Sequence, residues 1–453
     1  MAQPGKEYFS SRFGAIMALA GSAVGLGNIW RFPYLVGENG GAAFIIVYLV
    51  ACVVLALPIF LAESIIGRRG GSSAAGSIRN LSGNSRKWKL FGLCTMVTPI
   101  LILSYYSVVG GWSVDYLIRS VGLQFTGDID THAMFGDFIS APWEPLFMHT
   151  IFMVMTALII LFGVKNGIEK FSKITMPALM LLIIAVAVYG FTMPGAKAGI
   201  EYLLKPDFSK LTAKAVAAAM GQAFFSMSLG VGCILTYSSY VSKKDNLVRN
   251  GMATFVADFG FAMLAGFAVM PVVFAAGFSA AEGPGLVFET IPYIFSKMGA
   301  GTPVISAVIS ILFFLALLMA ALTSSISMLE IGVAYYCKDR KISRRRATIL
   351  MTGVIWALGV LCTLSFGALA DFKIFGLTVF SLFDTITANW LMPFGGMMFS
   401  MFVAYTMRRE DVWDELTNGG TCNTRIFNII YYSLKYIAPF GILVIFITNL
   451  IQI

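Results

Sequence analysis

Two stretches of this chain have residue types and spacing suited to gathering a charged solute. The first reads Ala20-Gly21-Ser22-Ala23-Val24-Gly25-Leu26-Gly27-Asn28-Ile29-Trp30-Arg31-Phe32-Pro33, a glycine cluster in the middle of an apolar run. The second, Ser226-Met227-Ser228-Leu229-Gly230-Val231-Gly232, repeats the defect two hundred residues later. Each glycine costs a helix about 1 kcal/mol relative to alanine. Both runs are therefore weak at the depth where a membrane least tolerates unpaired backbone. Unwinding frees carbonyls and amides. Carbonyl oxygens joined by hydroxyls from nearby helices can replace the hydration shell of a hard cation, and amides at a half-helix end attract a carboxylate. One cavity could thus hold a cation and an anion-bearing solute. Small residues also serve close helix packing. Two clusters five spans apart, one followed by the intramembrane charge Arg31, favour a site instead.

The elements that must position these residues follow from composition. Of 453 residues, 58% are hydrophobic and 12% charged, with a mean hydropathy of +0.82, whereas an ordinary soluble domain is about 25% charged. A soluble globule is excluded. Apolar runs of roughly 20 residues match a hydrocarbon core about 30 Å thick, and runs such as Phe44 to Ile59 do not alternate as barrel strands do. The expected fold is an all-α polytopic membrane protein, a single domain over 1–453. Eleven transmembrane helices are predicted at roughly 12–37, 41–67, 88–121, 146–163, 171–191, 214–240, 248–277, 303–337, 346–366, 377–405 and 428–451. Interruptions in helices 1 and 6 fit a five-plus-five inverted repeat, approximately 12–191 and 214–405, with an additional C-terminal helix at 428–451.

Loop charge orients the helices. Most Lys and Arg residues fall in alternate loops, including Arg68, Arg69, Lys165, Lys243, Lys244, Arg344 and Arg345. The positive-inside rule then places the N-terminus in the cytoplasm and the C-terminus outside, in the inner (plasma) membrane. The net charge of +9 is topological, facing anionic lipid, and calls for no nucleic acid. The N-terminus lacks the order of a signal peptide. The cysteines (Cys52, Cys94, Cys233, Cys337, Cys362, Cys422) show no CxxC pairing and, with only His132 and His149, build no zinc site. No GxxxxGK[ST] motif is present, and no constellation of nucleophile, base and orienter emerges, so an enzyme is not expected.

The chain resembles the bacterial neurotransmitter:sodium symporters, sodium-dependent amino-acid transporters with the leucine-transporter fold, the reference case for broken membrane helices. The likeness covers nearly the whole chain. It is most specific at Gly25-Leu26-Gly27-Asn28-Ile29-Trp30-Arg31-Phe32-Pro33-Tyr34, at Gly221-Gln222-Ala223-Phe224-Phe225-Ser226-Met227-Ser228-Leu229-Gly230-Val231-Gly232, and at Leu322-Thr323-Ser324-Ser325.

The resemblance implies two sodium ions. One would be bound by the Ala23 carbonyl, the side chains of Asn28 and Ser226, the substrate carboxylate and Asp258. The other would be bound by carbonyls of Gly21, Val24 and Ala320 and hydroxyls of Thr323 and Ser324, although back-bonding to the preceding turn is the usual fate of such hydroxyls. Asp258 replaces the family's commoner asparagine and supplies a negative charge that chloride provides in many animal relatives. Chloride-site positions match at Tyr48, Gln222 and Ser226, but Ala262 offers no donor, so no chloride requirement is expected. Gly25 stands where amine carriers place an aspartate, which points to an amino acid. Its carboxylate would meet the Leu26 and Gly27 amides and the Tyr106 hydroxyl. Its amine would meet carbonyls around Ala23, Phe225 and Ser226 and the Ser228 hydroxyl. The side-chain pocket would comprise Ile102, Tyr106, Phe225, Ser228, Val231, Ser324 and Met328, apolar and roomy. Arg31 and Asp384 would close it from outside above Tyr106 and Phe225, directly or through water, with Trp112 near. Lys6, Tyr240 and Asp339 would form the cytoplasmic gate.

The expected function is sodium-coupled symport of a neutral hydrophobic L-amino acid into the cell by alternating access. The expected partners are this small solute and membrane lipid, with no obligatory protein partner. An ion channel or a substrate-sensing receptor on the same fold are the alternatives, but no repeated filter sequence and no appended signalling domain are present.

Overall fold

The computed structural model describes residues 7–126, 129–277, 283–299 and 303–451. Its regular structure is helical, and the described residues add only an isolated bridge between Ile374 and Leu377. Among the described residues, nine unbroken helices are long and apolar enough to cross a membrane: Ala42–Gly70, Arg86–Val121, Glu144–Leu161, Val164–Phe191, Leu247–Ala275, Pro303–Lys338, Arg344–Leu364, Val379–Thr406 and Phe427–Leu450. A tenth span is bent by 52° between Arg12–Ala23 and Gly27–Glu38. Ala213–Ser226 and Cys233–Ser238, separated by a non-helical segment, make an eleventh element whose halves are each too short to cross alone. Numbered in chain order these are spans 1 to 11, and the two broken ones are the first and the sixth. The protein is a multi-pass, all-α membrane protein.

The one large boundary difference is instructive. Span 5 begins at Val164 rather than near residue 171, so Lys165, Lys170 and Lys173 ride on its opening turns instead of in a loop. Gly163 at φ +83° makes the break that a side chain would resist, and the opening turn is a wide π-helical one. Within it Glu169 is buried, paired with Lys173 at 2.6 Å. It also accepts from the Ser10 amide at 2.7 Å and the Ser10 hydroxyl at 2.6 Å, which ties the chain preceding span 1 to span 5.

The inner half of span 1 packs against spans 5, 7 and 8, and spans 3 and 8 form the longest shared wall. Span 10 reaches the break in span 6 backbone to backbone. A Cβ on Gly230 would collide with the Met392 carbonyl, and one on Gly395 would collide with the Gly230 carbonyl. At the N-terminal end of span 7, Arg68 donates to Glu415 at 2.6 Å, to the Glu415 carbonyl at 2.6 Å and to the Asp245 carbonyl at 2.5 Å. Neighbouring Arg69 pairs with Asp411 and, at 2.8 Å, with Asp414. The short helix Arg409–Thr417 is thereby clamped to the end of span 2. Arg68 and Glu415 side chains are each only 3% exposed, and an ion pair so buried is strongly destabilising when one partner is removed. Glu415→Ala is expected to lower unfolding free energy in detergent by about 3 to 5 kcal/mol. The double variant Arg68→Met/Glu415→Leu should lose less. A thermal-unfolding midpoint unchanged in Glu415→Ala would contradict the clamp.

Candidate functional site

The site is made by what breaks spans 1 and 6. Helix geometry in span 1 stops at Ala23, Val24 turns extended, and a π-helical turn over Gly27–Arg31 resumes the chain. In span 6 the break contains Ser228 at φ +52°, Gly230 at φ +78° and Gly232 at φ +90°. Glycine adopts such angles freely, while a residue like serine loses about 1 to 2 kcal/mol there. Ser228 is held by its hydroxyl, which donates to the Ser22 carbonyl at 2.7 Å and so joins the two breaks. The freed amides of span 6 find Glu63, a fully buried carboxylate on span 2 that accepts from Gly230 N–H at 2.7 Å and Leu235 N–H at 3.3 Å.

Between the breaks lies a cavity with about 420 Å³ of atom-free space. Ala23, Leu26, Gly27, Ile102, Tyr106, Phe225, Ser226, Ser228, Val231, Ser324 and Met328, the whole set singled out from the sequence, line it. Gly25, Cys233 and Met392 line it too. Cys233 and Met392 escaped sequence reasoning: a cysteine or methionine in an apolar run reads as packing, and only the bare backbone of Gly395 brings span 10 close enough for Met392 to reach. The Leu26 amide donates to the Tyr106 hydroxyl at 3.3 Å. A Cβ on Gly25 would collide with the Ser324 hydroxyl and come within 3.1 Å of the Tyr106 hydroxyl, so this packing demands glycine.

Two oxygen clusters flank the cavity. In the first, Asn28 Nδ2 donates to Asp258 Oδ1 at 2.8 Å, Ser226 Oγ at 3.0 Å and the Asp258 carbonyl at 3.3 Å. The Ser226 hydroxyl reaches both Asp258 carboxylate oxygens at 2.8 and 2.9 Å, and the Tyr48 hydroxyl donates to Oδ2 at 3.4 Å. Asn28 Oδ1 faces away, accepting from the Gly25 amide at 3.0 Å. An amide nitrogen therefore stands among the oxygens, and presenting the Asn28 oxygen to a cation requires the amide to turn by about 180°. In the second cluster, the Thr323 hydroxyl lies 2.9 Å from the Ala320 carbonyl and 3.2 Å from that of Val24, and the Ser324 hydroxyl lies 3.3 Å from Val24 O. A Cβ on Gly21 would sit 3.3 Å from Thr323. The Thr323 hydroxyl thus back-bonds and reaches across to span 1 at once. The second cluster offers hard oxygen donors only, and the first does so once the Asn28 amide turns, as alkali or alkaline-earth cations require.

Above this cavity is a second, with about 610 Å³ of atom-free space, lined by Arg31, Asp384, Trp30, Tyr34, Tyr105 and Phe380 among others. Tyr106 and Phe225 line both cavities and so form the partition between them. The Arg31 guanidinium lies 4.6 Å from the Phe225 ring centre, an attractive cation–π arrangement. Arg31 and Asp384 share the outer cavity without a direct ion pair within 4.0 Å. Trp112 stacks on Phe380 at 6.1 Å.

At the other end the structure rearranges the expected gate. Lys6 lies outside the described residues. Asp339 does not face the N-terminal segment. It pairs with Arg79 at 2.9 Å and with the Ser73 hydroxyl, because the short helix Ala74–Leu81 folds against the end of span 8. The acid beside Tyr240 is Glu330, fully buried, which accepts from the Tyr240 hydroxyl at 2.7 Å and pairs with Arg344 at 2.6 Å. Arg344 also reaches Glu7 at 3.4 Å, and Phe9 N–H donates to the Tyr240 carbonyl at 3.0 Å. Glu63 and Glu330 were both legible in principle, as carboxylates inside apolar runs.

A model described as the sodium:neurotransmitter symporter family matches residues 6–137 and 138–453. An uncharacterized sodium-dependent transporter of Bacillus subtilis is 36% identical over 447 residues, 98% of either chain. One from Haemophilus influenzae is 34% identical, again over 98% of both. The sodium- and chloride-dependent taurine transporter of Canis lupus familiaris is 28% identical over 91% of this chain and 73% of its own. Among solved structures, that of MhsT in complex with L-phenylalanine superimposes with a TM-score of 0.90 at 40% identity, covering 98% of this chain and all of the other.

The packing at Gly25 can be checked without reference to any ligand. Gly25→Ala is expected to destabilise the protein by about 1 to 3 kcal/mol, as overpacking does. Ser324→Ala in the same chain removes the colliding oxygen and should restore most of the loss. A Gly25→Ala protein with an unchanged unfolding midpoint would contradict the close approach.

Proposed function

The chain belongs to the sodium:neurotransmitter symporter family, membrane transporters that use sodium, and from that premise we propose that it carries a neutral, hydrophobic L-amino acid into the cell with two sodium ions, without chloride. The observation that supports this most is the meeting of two oxygen-rich clusters on one cavity whose polar rim is unwound backbone. The cluster of Asn28, Ser226 and Asp258, completed by the Ala23 carbonyl and the substrate carboxylate, is our first sodium site. Gly21, Val24, Ala320, Thr323 and Ser324 supply the second. The substrate carboxylate displaces the Leu26 amide's bond to Tyr106 and takes both donors together with the Gly27 amide. Its amine meets carbonyls near Ala23, Phe225 and Ser226 and the Ser228 hydroxyl. Ile102, Val231 and Met328 receive an apolar side chain. The solved complex of a relative with L-phenylalanine agrees with that choice.

Transport follows from which partition opens. Tyr106 and Phe225 separate the site from the outer cavity, and Arg31 and Asp384 draw together over it as the outer side closes. On the cytoplasmic side Tyr240, Glu330 and Arg344 hold the inner gate, with the N-terminal segment bound to Tyr240. The two inverted repeats, approximately 12–191 and 214–405, supply the halves that alternate, with the N-terminus in the cytoplasm and the C-terminus outside. A tenfold sodium gradient is worth about 1.4 kcal/mol per ion and a potential of about 100 mV adds about 2.3 kcal/mol per charge, so two ions supply about 7 kcal/mol. That concentrates a zwitterion by roughly 10⁵-fold without ATP. Proteoliposome uptake of such an amino acid should require sodium on the outside. Equal uptake in potassium-only buffer would refute the proposal.

Chloride is unnecessary because Asp258 brings a fixed negative charge to the first cation. A carboxylate about 4 Å from a cation is worth about 4 kcal/mol at an effective dielectric constant of about 20. The positions that could complete an anion site are uneven. Tyr48 and Ser226 are engaged by Asp258, Gln222 donates to the Gly27 carbonyl at 3.2 Å, and Ala262 is buried with no donor. Uptake should persist when gluconate replaces chloride. Asp258→Asn should cripple it by at least tenfold, and adding Ala262→Ser should restore it only in chloride. A double variant fully active without halide would overturn this role for Asp258.

A further inference from the structure

Asn250, Thr254 and Asp258 ascend one side of span 7 at four-residue intervals. Each interval lifts about 6 Å along a helix, so the row runs about 12 Å from near the N-terminal end of the span to the Asp258 cluster. Asn250 is 1% exposed and Thr254 fully buried. Asn250 Oδ1 and Nδ2 and Thr254 Oγ1 have no hydrogen-bond partner among the described residues. Thr156 and Thr363 bond to the carbonyl one turn back at 3.0 and 2.9 Å, whereas the Thr254 hydroxyl, like those of Thr236, Thr348 and Thr352, makes no such bond. Buried amides and hydroxyls in native proteins are paired with protein or with ordered water. Here the described residues offer no partner, and neither residue lines either cavity.

The spacing suits water. Two hydrogen bonds of about 2.8 Å span one 6 Å interval, so one water fits between successive groups of the row. Asn250 both donates and accepts, Thr254 does likewise, and the Asp258 carboxylate accepts, which gives each water the two or more polar partners it needs. The neighbouring inner half of span 1 contributes small buried residues, among them Ala15 and Ala18.

We propose that Asn250 and Thr254 hold a short file of water beneath Asp258, along the interface of spans 1 and 7, and that this water receives the first sodium on its way to the cytoplasm. The proposal rests on the symport function above and adds an exit for one ion that neither oxygen cluster provides. A sodium leaving Asp258 must trade protein oxygens for water at every step, and a dry interface would leave it no ligand.

Two measurements on the full-length protein test it. In proteoliposomes, Asn250→Leu should slow sodium-driven uptake at least tenfold, while the sodium dependence of amino-acid binding in detergent stays within twofold of wild type. Asn250→Ser, which keeps a polar group and makes room for water, should retain at least half the wild-type rate. Wild-type turnover in Asn250→Leu would overturn the proposal. If that variant fails to fold, the isosteric Thr254→Val is read in the same way, with at least threefold slowing expected and an unchanged rate refuting it. Independently, radiolytic hydroxyl labelling should mark Phe255, next to Thr254 in sequence, and Thr254→Val should suppress that mark at least threefold. Equal labelling of Phe255 in the wild type and in Thr254→Val would refute the water file. The labelling involves no transport, so it can succeed even where sodium-driven uptake fails, and the two readings fall separately.

Discussion

A hydrocarbon interior has no water for an unpaired amide, and that constraint decides how two membrane helices can be broken at all. The breaks in spans 1 and 6 survive because several of the freed groups are given partners, most of them from a different part of the chain. Glu63, with no Lys or Arg within 4.0 Å among the described residues, spends its carboxylate on two amides of span 6. Ser228 accepts a left-handed backbone and returns a hydroxyl to the Ser22 carbonyl. Asn28 turns its oxygen to the Gly25 amide. Span 10 closes on the bare backbone of Gly230, so no side chain intervenes. What is left unpaired after these contacts is the set of dipoles that converge on the cavity.

The same scarcity of partners sets the demand for cations. Asp258 is fully buried and is met only by neutral donors: an amide, a serine hydroxyl and a tyrosine hydroxyl. Neutral donors compensate a buried carboxylate incompletely, and a desolvated negative charge is most favourably balanced by a positive one at short range. Sodium fills that role in our account, and the substrate carboxylate adds a further oxygen to the same ion. Coupling then needs no long-range signal, because ion and solute are each other's ligands. The aromatic partition of Tyr106 and Phe225, with Arg31 resting on the Phe225 ring, separates this cavity from the outer one.

Much of this was legible in the chain itself. Spans declare themselves through apolar length, and the glycine clusters at 21–27 and 230–232 mark the breaks because clustered glycines weaken a helix where unpaired backbone is least tolerated. The cavity lining followed from resemblance at those same motifs. What was not legible depends on how distant elements meet. Asp339 and Glu330 both sit near the end of span 8, and only the fold of Ala74–Leu81 shows that Asp339 is taken by Arg79 while Glu330 turns to Tyr240 and Arg344. The early start of span 5 was hidden because three lysines read as loop, whereas a glycine and a wide turn let them ride on a helix. Glu63 and Glu330 show that an acid in an apolar run is a stronger signal than the surrounding hydropathy suggests.

The central claim is that sodium and an apolar amino acid occupy one site as mutual ligands. It is tested most directly by titrating sodium against the binding of the tightest-binding L-amino acid found in a thermal-shift screen of the twenty, on the purified protein with ionic strength held constant by potassium. With two coupled ions, the apparent Kd should fall about a hundredfold for each tenfold rise in sodium while sodium is limiting. A dissociation constant that is the same at every sodium concentration would contradict the account.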